Sequence, residues 1–499
     1  MTSHDGSGKR RTVRASVPRW ARLALGVGAA AAGWYAADTA RLRRLHRRIR
    51  ARHPTGPRVV VLGAGFGGLT CAAELARRLP PGSGREVLLF DRHNYQLFTP
   101  LLYHAATGLV DPSHIQFPVR SLARTPHFRF FEGVVRGVDF ARRCVLLDEG
   151  EIEYDLLVIA LGSTTNYFGN ERFAERSLPL KNLGDAIAVR NQVIRCFERA
   201  EQMPAGPERD ATLTFVVVGG GATGVELMGA LHGLTCTVLF RQYPRVPPRD
   251  VRLVLVEATD RLLSQLAGDM GERAMASLQR RDVEVRTRTR AVALPEGGIV
   301  LQSGDRQEFL PARTIVWAAG VRPVPVIASL PLPHDRVGRL VVDPYLQVVG
   351  QPDVYAIGDG AAFTDERTGR TLPPNAAVAV QQGEALARIV AARLAGDTPA
   401  PFRYHHRGEL ISLGRYDALA DIYGVRLNGL PAWLLWRAFY LSTLMGAKNR
   451  LGVALDWSFA YFYRRDTAEM QCLPEREPEP ILPAAAAVPA VEQQAAADD

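Results

Sequence analysis

Two runs of glycine set the chemistry open to this chain. The first lies in RVVVLGAGFGGL at residues 58–69, the second in LTFVVVGGGATGVEL at residues 213–227. In each, a β-branched and apolar run ends in the spacing G-x-G-x-x-G: Gly63, Gly65 and Gly68, then Gly219, Gly221 and Gly224. Phe66 and Gly67 fill the inner positions of the first set. The first glycine of such a set permits a tight turn, the second lets the backbone approach a pyrophosphate, and the third lets the next helix pack on the strand. The helix start then turns its free N–H groups toward phosphate. One such set is a weak signal. Two in strand–turn–helix context predict two bound dinucleotides, and a flavin with a nicotinamide is the obvious pair.

Carboxylates sharpen that reading. The strand after the first turn, EVLLFDR, ends in Asp91, and the one after the second, VRLVLVEATDR, ends in Glu257. An acid there accepts hydrogen bonds from ribose hydroxyls and repels a 2′-phosphate, so the second site is expected to prefer NADH over NADPH. Glu257 lies farther from its glycines than usual, and the stretch Arg241–Asp250 reads as an insertion. The bland alternative for either acid is an exposed strand end. Three further segments break at glycine as buried parallel strands do: YDLLVIALGS with Gly162, TIVWAAGVRP with Gly320, and DVYAIGDGA with Gly358 followed by Asp359. Asp359 reads as a hydroxyl or ribityl ligand, as the N-cap of a following helix, or as both.

From about Arg58 to Met470 the chain resembles the type II NADH:quinone oxidoreductases, within the wider group of flavoproteins having two dinucleotide-binding domains. The wider resemblance rests on both glycine turns, the VIALG strand and AIGD. The narrower one rests on DRHNYQLFTPLLYHAATG (Asp91–Gly108), RNQVIRCFERAE (Arg190–Glu201), GATGVE and the long block from RYDALADIYGV to WSFAYF. The resemblance implies an α/β fold of two Rossmann-like domains, for FAD and NADH, plus a C-terminal membrane-docking region. It implies FAD at Gly63, Gly65, Gly68, Asp91 and Asp359, and NADH at Gly219, Gly221, Gly224 and Glu257; Phe66, Gly67, Gly162, Gly320 and Gly358 are further expected cofactor-binding positions. It places Glu226 beside nicotinamide and flavin, and Gln381 and Gln382 at a quinone. The expected domains are a basic extension over 1–57, the FAD domain in two parts over 58–170 and 329–400, the NADH domain over 171–328, an anchoring and dimer region over 401–472, and a disordered tail over 473–499.

Three positions depart from the family pattern. Leu161 stands where threonine is usual, Ala377 replaces the first glutamine of the quinone motif, and His104 stands where glutamine is frequent. The five cysteines, Cys71, Cys144, Cys196, Cys236 and Cys472, form no C-x-x-C or C-x-x-x-x-C pair. That argues against a disulfide reductase, which needs paired thiols beside its flavin, and their scatter suits a reducing compartment. Cys71 reads as buried. No metal-ligand cluster is expected, since His405 and His406 are adjacent and not spaced along one helix face.

The formal charge of +10 is unevenly placed: residues 1–57 hold +11 and the tail from Pro474 holds −5, which leaves +4 on the body between them. Residues 1–57 carry thirteen Lys and Arg against two acids, and the tail from Pro474 carries six acids against one Arg. No nucleic-acid motif accompanies the basic end, which reads as contact with anionic lipid. Trp20–Ala40 is an apolar, Ala- and Gly-rich candidate membrane helix whose uninterrupted run, Leu23–Ala37, is short for a bilayer. An Arg-Arg export signal and a disordered leader are the alternatives. Near the other end, WLLWRAFYLSTLMGA (Trp433–Ala447) is too short and charged to span. It reads as an interfacial helix with Trp433, Trp436, Phe439 and Tyr440 at the headgroups and Lys448 and Arg450 reaching phosphates; an ordinary core or dimer helix is the alternative. The expected partners are a membrane quinone, a lipid bilayer and a second copy of the chain. The expected location is the cytoplasmic face of the cell membrane. A flavoprotein with another acceptor, or a sensor with weak turnover, stays open.

Overall fold

The computed structural model describes residues 56–79, 83–123, 128–148, 150–266, 268–462 and 465–470. The expected helix over 20–40, nearly all of the basic extension and the acidic tail lie outside the described residues.

Strand β1 (Arg58–Leu62) runs through Val59, Val60, Val61 and Leu62, all fully buried, as a strand covered on both faces must be. It turns at Gly63 into helix α1 (Phe66–Arg78). Strands β2 (Glu86–Asp91), β3 (Phe128–Glu132) and β4 (Leu156–Ile159) follow, then the short β5 (Ser163–Thr165). Next come β6 (Leu178–Pro179) and helix α2 (Leu183–Gln202), which a capping box between Asn182 and Asp185 starts. Strand β7 (Thr214–Val218) then turns at Gly219 into helix α3 (Ala222–Thr237). Strands β8 (Arg252–Val256), β9 (Glu284–Arg286), β10 (Thr314–Trp317) and β11 (Val321–Pro323) complete this half. The chain returns through β12 (Val354–Ala356) and helix α4 (Ala376–Ala395). It ends in strands β13 (Glu409–Gly414), β14 (Asp417–Ile422) and β15 (Val425–Asn428), helix α5 (Gly429–Thr443) and helix α6 (Ala447–Phe462).

Two parallel sheets dominate. The first has the order β12-β4-β1-β2-β3, the second β6-β10-β7-β8-β9. In both, the strand that enters a glycine turn is central, flanked by a strand from later in the chain on one side and its immediate successor on the other. That is the switch point at which open α/β sheets bind ligands beyond their carboxyl ends. The antiparallel pair β5 and β11 joins the halves, with Ser163 opposite Pro323 and Thr165 opposite Val321.

Helix α4 lies on α1, and glycine allows it. A Cβ on Gly383 would sit 2.5 Å from the Gly67 carbonyl oxygen and 3.2 Å from the Cys71 nitrogen. The antiparallel sheet β13-β14-β15 docks on α3, where Gly229 passes under the backbone of Leu413 too closely for any side chain. Among the described residues, Ala222–Arg241 is the helix long and apolar enough to cross a membrane, and it is two-thirds buried as the core helix of the second half.

Candidate active site

The two glycine turns repeat one geometry. Gly63 and Gly219 adopt φ of +102° and +114°, in the region that disfavours side chains. A Cβ on Gly63 would meet the Ala160 carbonyl, and one on Gly219 the Ala318 carbonyl at 2.5 Å. The third glycines are tighter still. A Cβ on Gly68 would collide with the Gly63 oxygen, and one on Gly224 with the Gly219 oxygen. The middle glycines differ: Gly65 and Gly221 are exposed, with open space where a side chain would stand. Each turn is therefore closed on its inner side and open in front of a helix start. That cradle has the shape a dinucleotide pyrophosphate requires, so the residues present fit FAD at one turn and NADH at the other.

Each turn meets its carboxylate. Asp91 accepts the Ala64 N–H at 2.6 Å and the His93 N–H at 2.8 Å, and burial pushes its carboxyl above the ordinary aspartate value. Glu257 accepts the Gly220 N–H at 2.6 Å and the Thr259 N–H at 2.7 Å. Both acids thus lock their turn from below at the end of the adjacent strand. Gly162 and Gly358 have φ of +74° and +73° at the ends of β4 and β12, and Gly320 is exposed at the end of β10 with φ of +142°.

Asp359 does not cap a long helix. It lies in a single 3-10 turn, Gly358–Gly360, and α4 begins only at Ala376, where Asn375 caps it. The Asp359 carboxylate instead takes the Ser163 hydroxyl and faces the Lys181 ammonium at 3.4 Å; Lys181 also donates to Ser163 at 2.8 Å. Lys181 brings a cation to this corner, and no motif named it. Its placement just ahead of the Asn182 cap was the available signal.

Glu226 lies just past the first turn of α3 and is buried. Its carboxylate accepts the Ser412 N–H from β13 at 3.2 Å. Burial raises its pKa to about 8, against the pull of that hydrogen bond and of the neighbouring Tyr103 and Trp436, and with a push from Glu409. The Tyr103 hydroxyl and the Trp436 indole nitrogen are buried and complete no hydrogen bond. Glu226 is thus neutral at pH 7, under a lid built by the C-terminal region. His104 is buried against the same Trp436. Its Nδ1 accepts the Trp457 indole N–H at 3.3 Å, and its ring packs edge-on to Trp436 and Trp457. Burial, with Arg437 and Arg465 nearby, holds the imidazole well below its usual pKa, so it is neutral.

The glutamines of α4 are held by backbone. Gln381 donates to the His405 carbonyl at 3.0 Å and accepts the His405 N–H at 3.0 Å, so both ends of its amide are engaged. The Gln382 oxygen accepts the Gly358 N–H at 2.7 Å, beside Asp359. The structure places Gln382 against the first turn's corner and makes Gln381 a clamp on the segment leading to β13.

Two of the four aromatic residues expected at the headgroups, Trp433 and Trp436, depart from that position, while Phe439 is exposed. Trp433 and Trp436 are buried, with Trp436 packed among Tyr103, Tyr440 and Trp457. The guanidinium of Arg437 stacks 3.9 Å from the Trp433 ring and 4.6 Å from that of Trp457, which lets a charged residue sit inside this helix pair. The outward residues are Leu430, Leu434 and Phe439 of α5 and Leu451, Leu455 and Phe459 of α6. Cys71 is buried, and its thiol pKa is pushed up to about 12 by burial, so it is inert.

The model of the pyridine nucleotide-disulphide oxidoreductase family matches residues 57–383, and that of the NDH2 C-terminal domain matches residues 406–466. The Mycobacterium tuberculosis protein named type II NADH:quinone oxidoreductase Ndh is 32% identical over 428 residues, covering 83% of this chain and 90% of that protein. A second protein of that organism, type II NADH:quinone oxidoreductase NdhA, is 32% identical over 422 residues, covering 82% and 87%. The structure of NDH2 from Plasmodium falciparum, in complex with NADH, shares the fold with a TM-score of 0.76 at 18% identity, over 83% of this chain and 99% of that one. Matched by relatives this similar over four-fifths of its length, and by family models across both its two-turn body and its C-terminal region, the chain belongs to the type II NADH:quinone oxidoreductases.

Proposed function

We infer that the protein oxidises NADH and delivers two electrons, by way of FAD, to a membrane quinone without pumping protons. The observation that carries this reading is the pair of complete, matching dinucleotide turns in one chain, backed by a C-terminal region with an apolar outer face. FAD, when bound along the first turn, supplies the redox chemistry. The chain's own residues do the rest. Gly63, Gly65, Phe66, Gly67 and Gly68 receive the first pyrophosphate at the start of α1, Asp91 meets its ribose, and Gly162, Gly358 and Asp359 line the far end, with Lys181 fixing the Asp359 carboxylate. Gly219, Gly221, Gly224 and Gly320 hold NADH, and Glu257 meets its ribose. Glu226 holds a proton at neutral pH in a dry site, which suits a donor for a quinone that gains two protons. Gln382 contacts the acceptor side and Gln381 positions it. Steady-state oxidation of NADH by the full-length protein should require an added short-chain quinone; turnover indifferent to quinone would contradict the assignment.

The nucleotide preference has its own test. The Glu257 carboxylate repels a 2′-phosphate, so Glu257→Gln should keep the hydrogen bonds to Gly220 and Thr259 while lowering the NADH-over-NADPH preference in kcat/KM by about tenfold. An unchanged ratio would remove Glu257 from the ribose site.

The protein docks on the membrane surface through α5 and α6, at the cytoplasmic face. Leu451, Leu455 and Phe459 recur at one face of α6, and Leu430, Leu434 and Phe439 of the preceding α5 are likewise large apolar side chains turned to solvent. Lys448 and Arg450 are exposed beside them. Transfer of one leucine into lipid contributes about 1.5–3 kcal/mol. Leu434→Glu with Leu455→Glu should therefore lower binding to anionic vesicles by about a hundredfold, measured by co-sedimentation, while NADH still bleaches the flavin. A homodimer is the proposed assembly, supported by the exposed outer strand β15 with Val425 and Leu427.

A further inference from the structure

We propose that Phe168 forms the outer wall of the pyridine-nucleotide cleft, its ring covering the nicotinamide half of bound NADH. This rests on assigning the second glycine turn to NADH.

Phe168 is a large aromatic side chain left 65% exposed, and its φ is +53°. Gly169 follows with φ of +80°. Two successive positive φ values ask for asparagine and glycine, and a bulky residue at the first is an outlier. The surroundings hold it there. The Phe168 N–H donates to the Asn166 side-chain oxygen at 2.9 Å, the Asn166 N–H donates to the Gly320 carbonyl at 3.0 Å, and the Trp317 indole N–H donates to the Asn166 carbonyl at 2.8 Å. Trp317 and Phe173 are buried beneath, with ring centroids 4.8 Å apart. The loop therefore rests on a fixed aromatic base, and the ring of Phe168 is the part turned outward. A backbone conformation held against its own preference points to a use for that ring.

Its position says which use. The Phe168 ring edge lies 3.6 Å from where a Cβ on Gly320 would stand. Gly320 directly follows Ala318 and Ala319, the residues against which Gly219 makes its turn. Phe168 thus overhangs the mouth of the second turn. It also follows β5, one of the two strands joining the halves, so it stands on the side of the turn that faces the first site. A dinucleotide lying on the turn extends its nicotinamide that way. A flat apolar ring there offers stacking area and keeps water from the transfer path.

Three variants and two ligands test the proposal, with isothermal titration of the FAD-loaded protein as the readout. Phe168→Gly relieves the strained backbone, so it should melt at or above the parent temperature. It should nevertheless bind NAD+ about tenfold more weakly, and bind ADP-ribose, which lacks the nicotinamide, as the parent does. Phe168→Tyr should retain the parent affinity, and Phe168→Ala should match Phe168→Gly in its loss. Reoxidation of the reduced protein by quinone should be unchanged in all three. Unchanged NAD+ affinity in Phe168→Gly would overturn the proposal, as would an equal loss for both ligands. A parent protein that binds neither NAD+ nor ADP-ribose would overturn the assignment of the second turn, and the proposal with it.

Discussion

Glu226→Gln should slow reoxidation of the reduced protein by quinone about a hundredfold, while bleaching by NADH stays within a few-fold of the parent rate. Glu226 lies under Ser412, Tyr103 and Trp436, with its pKa raised to about 8 by desolvation. At pH 7 it is an acid holding a proton, where an exposed glutamate would have none. Glutamine keeps the shape and accepts the Ser412 hydrogen bond, and it has no proton to give. The parent's quinone step should fall as pH rises through about 8, and the variant's slow step should be flat across that range. Stability carries a second signature. A carboxyl whose folded pKa lies above its unfolded value contributes stability that is full below about 4.5 and is lost as pH rises through about 8. Glu226→Gln lacks that loss, so its melting temperature should exceed the parent's at pH 9 and match it near pH 4.5. A variant with normal quinone reoxidation would make Glu226 a structural anchor for β13.

Gly68→Ala and Gly224→Ala should separate the two cofactor sites. In each, the new methyl would overlap the carbonyl oxygen of the turn's first glycine, Gly63 or Gly219. Neither oxygen can retreat: Gly63 donates to the Phe90 carbonyl at 2.7 Å and Gly219 to the Val256 carbonyl at 2.8 Å, pinning each turn to its neighbouring strand. The helix must move off the strand, at a cost on the order of 1–3 kcal/mol, and the helix start is carried away from the phosphate. Gly68→Ala should purify with less than a tenth of the parent's FAD. Gly224→Ala should keep its FAD, yet show an NADH affinity reduced by about a hundredfold or more. The check is flavin content by absorbance, then anaerobic titration with NADH. FAD loss in Gly224→Ala with retention in Gly68→Ala would reverse the assignment of the turns.

What the sequence made legible is what short-range sterics demand. A glycine at Gly63 or Gly68 is needed because of atoms a few residues away or on the next strand, so the spacing alone announces it. Asp91 and Glu257 follow, because a strand end beside such a turn has one side chain in reach. The surroundings of Glu226 were not legible. Its hydrogen-bond donor is Ser412, 186 residues along the chain, and its lid comes from Tyr103 and Trp436. Nothing local marks those contacts. The tryptophans of α5 misled for a related reason. Trp433 and Trp436 mark a helix with one apolar-aromatic face, and the pattern cannot say whether that face meets lipid or the protein's own core. Arg437, stacked on two of the tryptophans, made the inward answer feasible. The motif around Gln381 says nothing of the His405 backbone that its amide holds, 24 residues along the chain. Lys181 escaped notice because a lone lysine before a helix cap has many uses, and its proximity to Asp359 arises only once the chain has passed through the second half and returned.

The central claim is tested by mixing the oxidised, full-chain protein with NADH and then with a quinone analogue, both without oxygen, while following the visible flavin absorbance. A stoichiometric amount of NADH should bleach the flavin rapidly, and quinone should restore its absorbance rapidly and completely. Bleaching without recovery would contradict the claim, leaving an NADH-oxidising flavoprotein with another acceptor or a sensor of the nicotinamide pool.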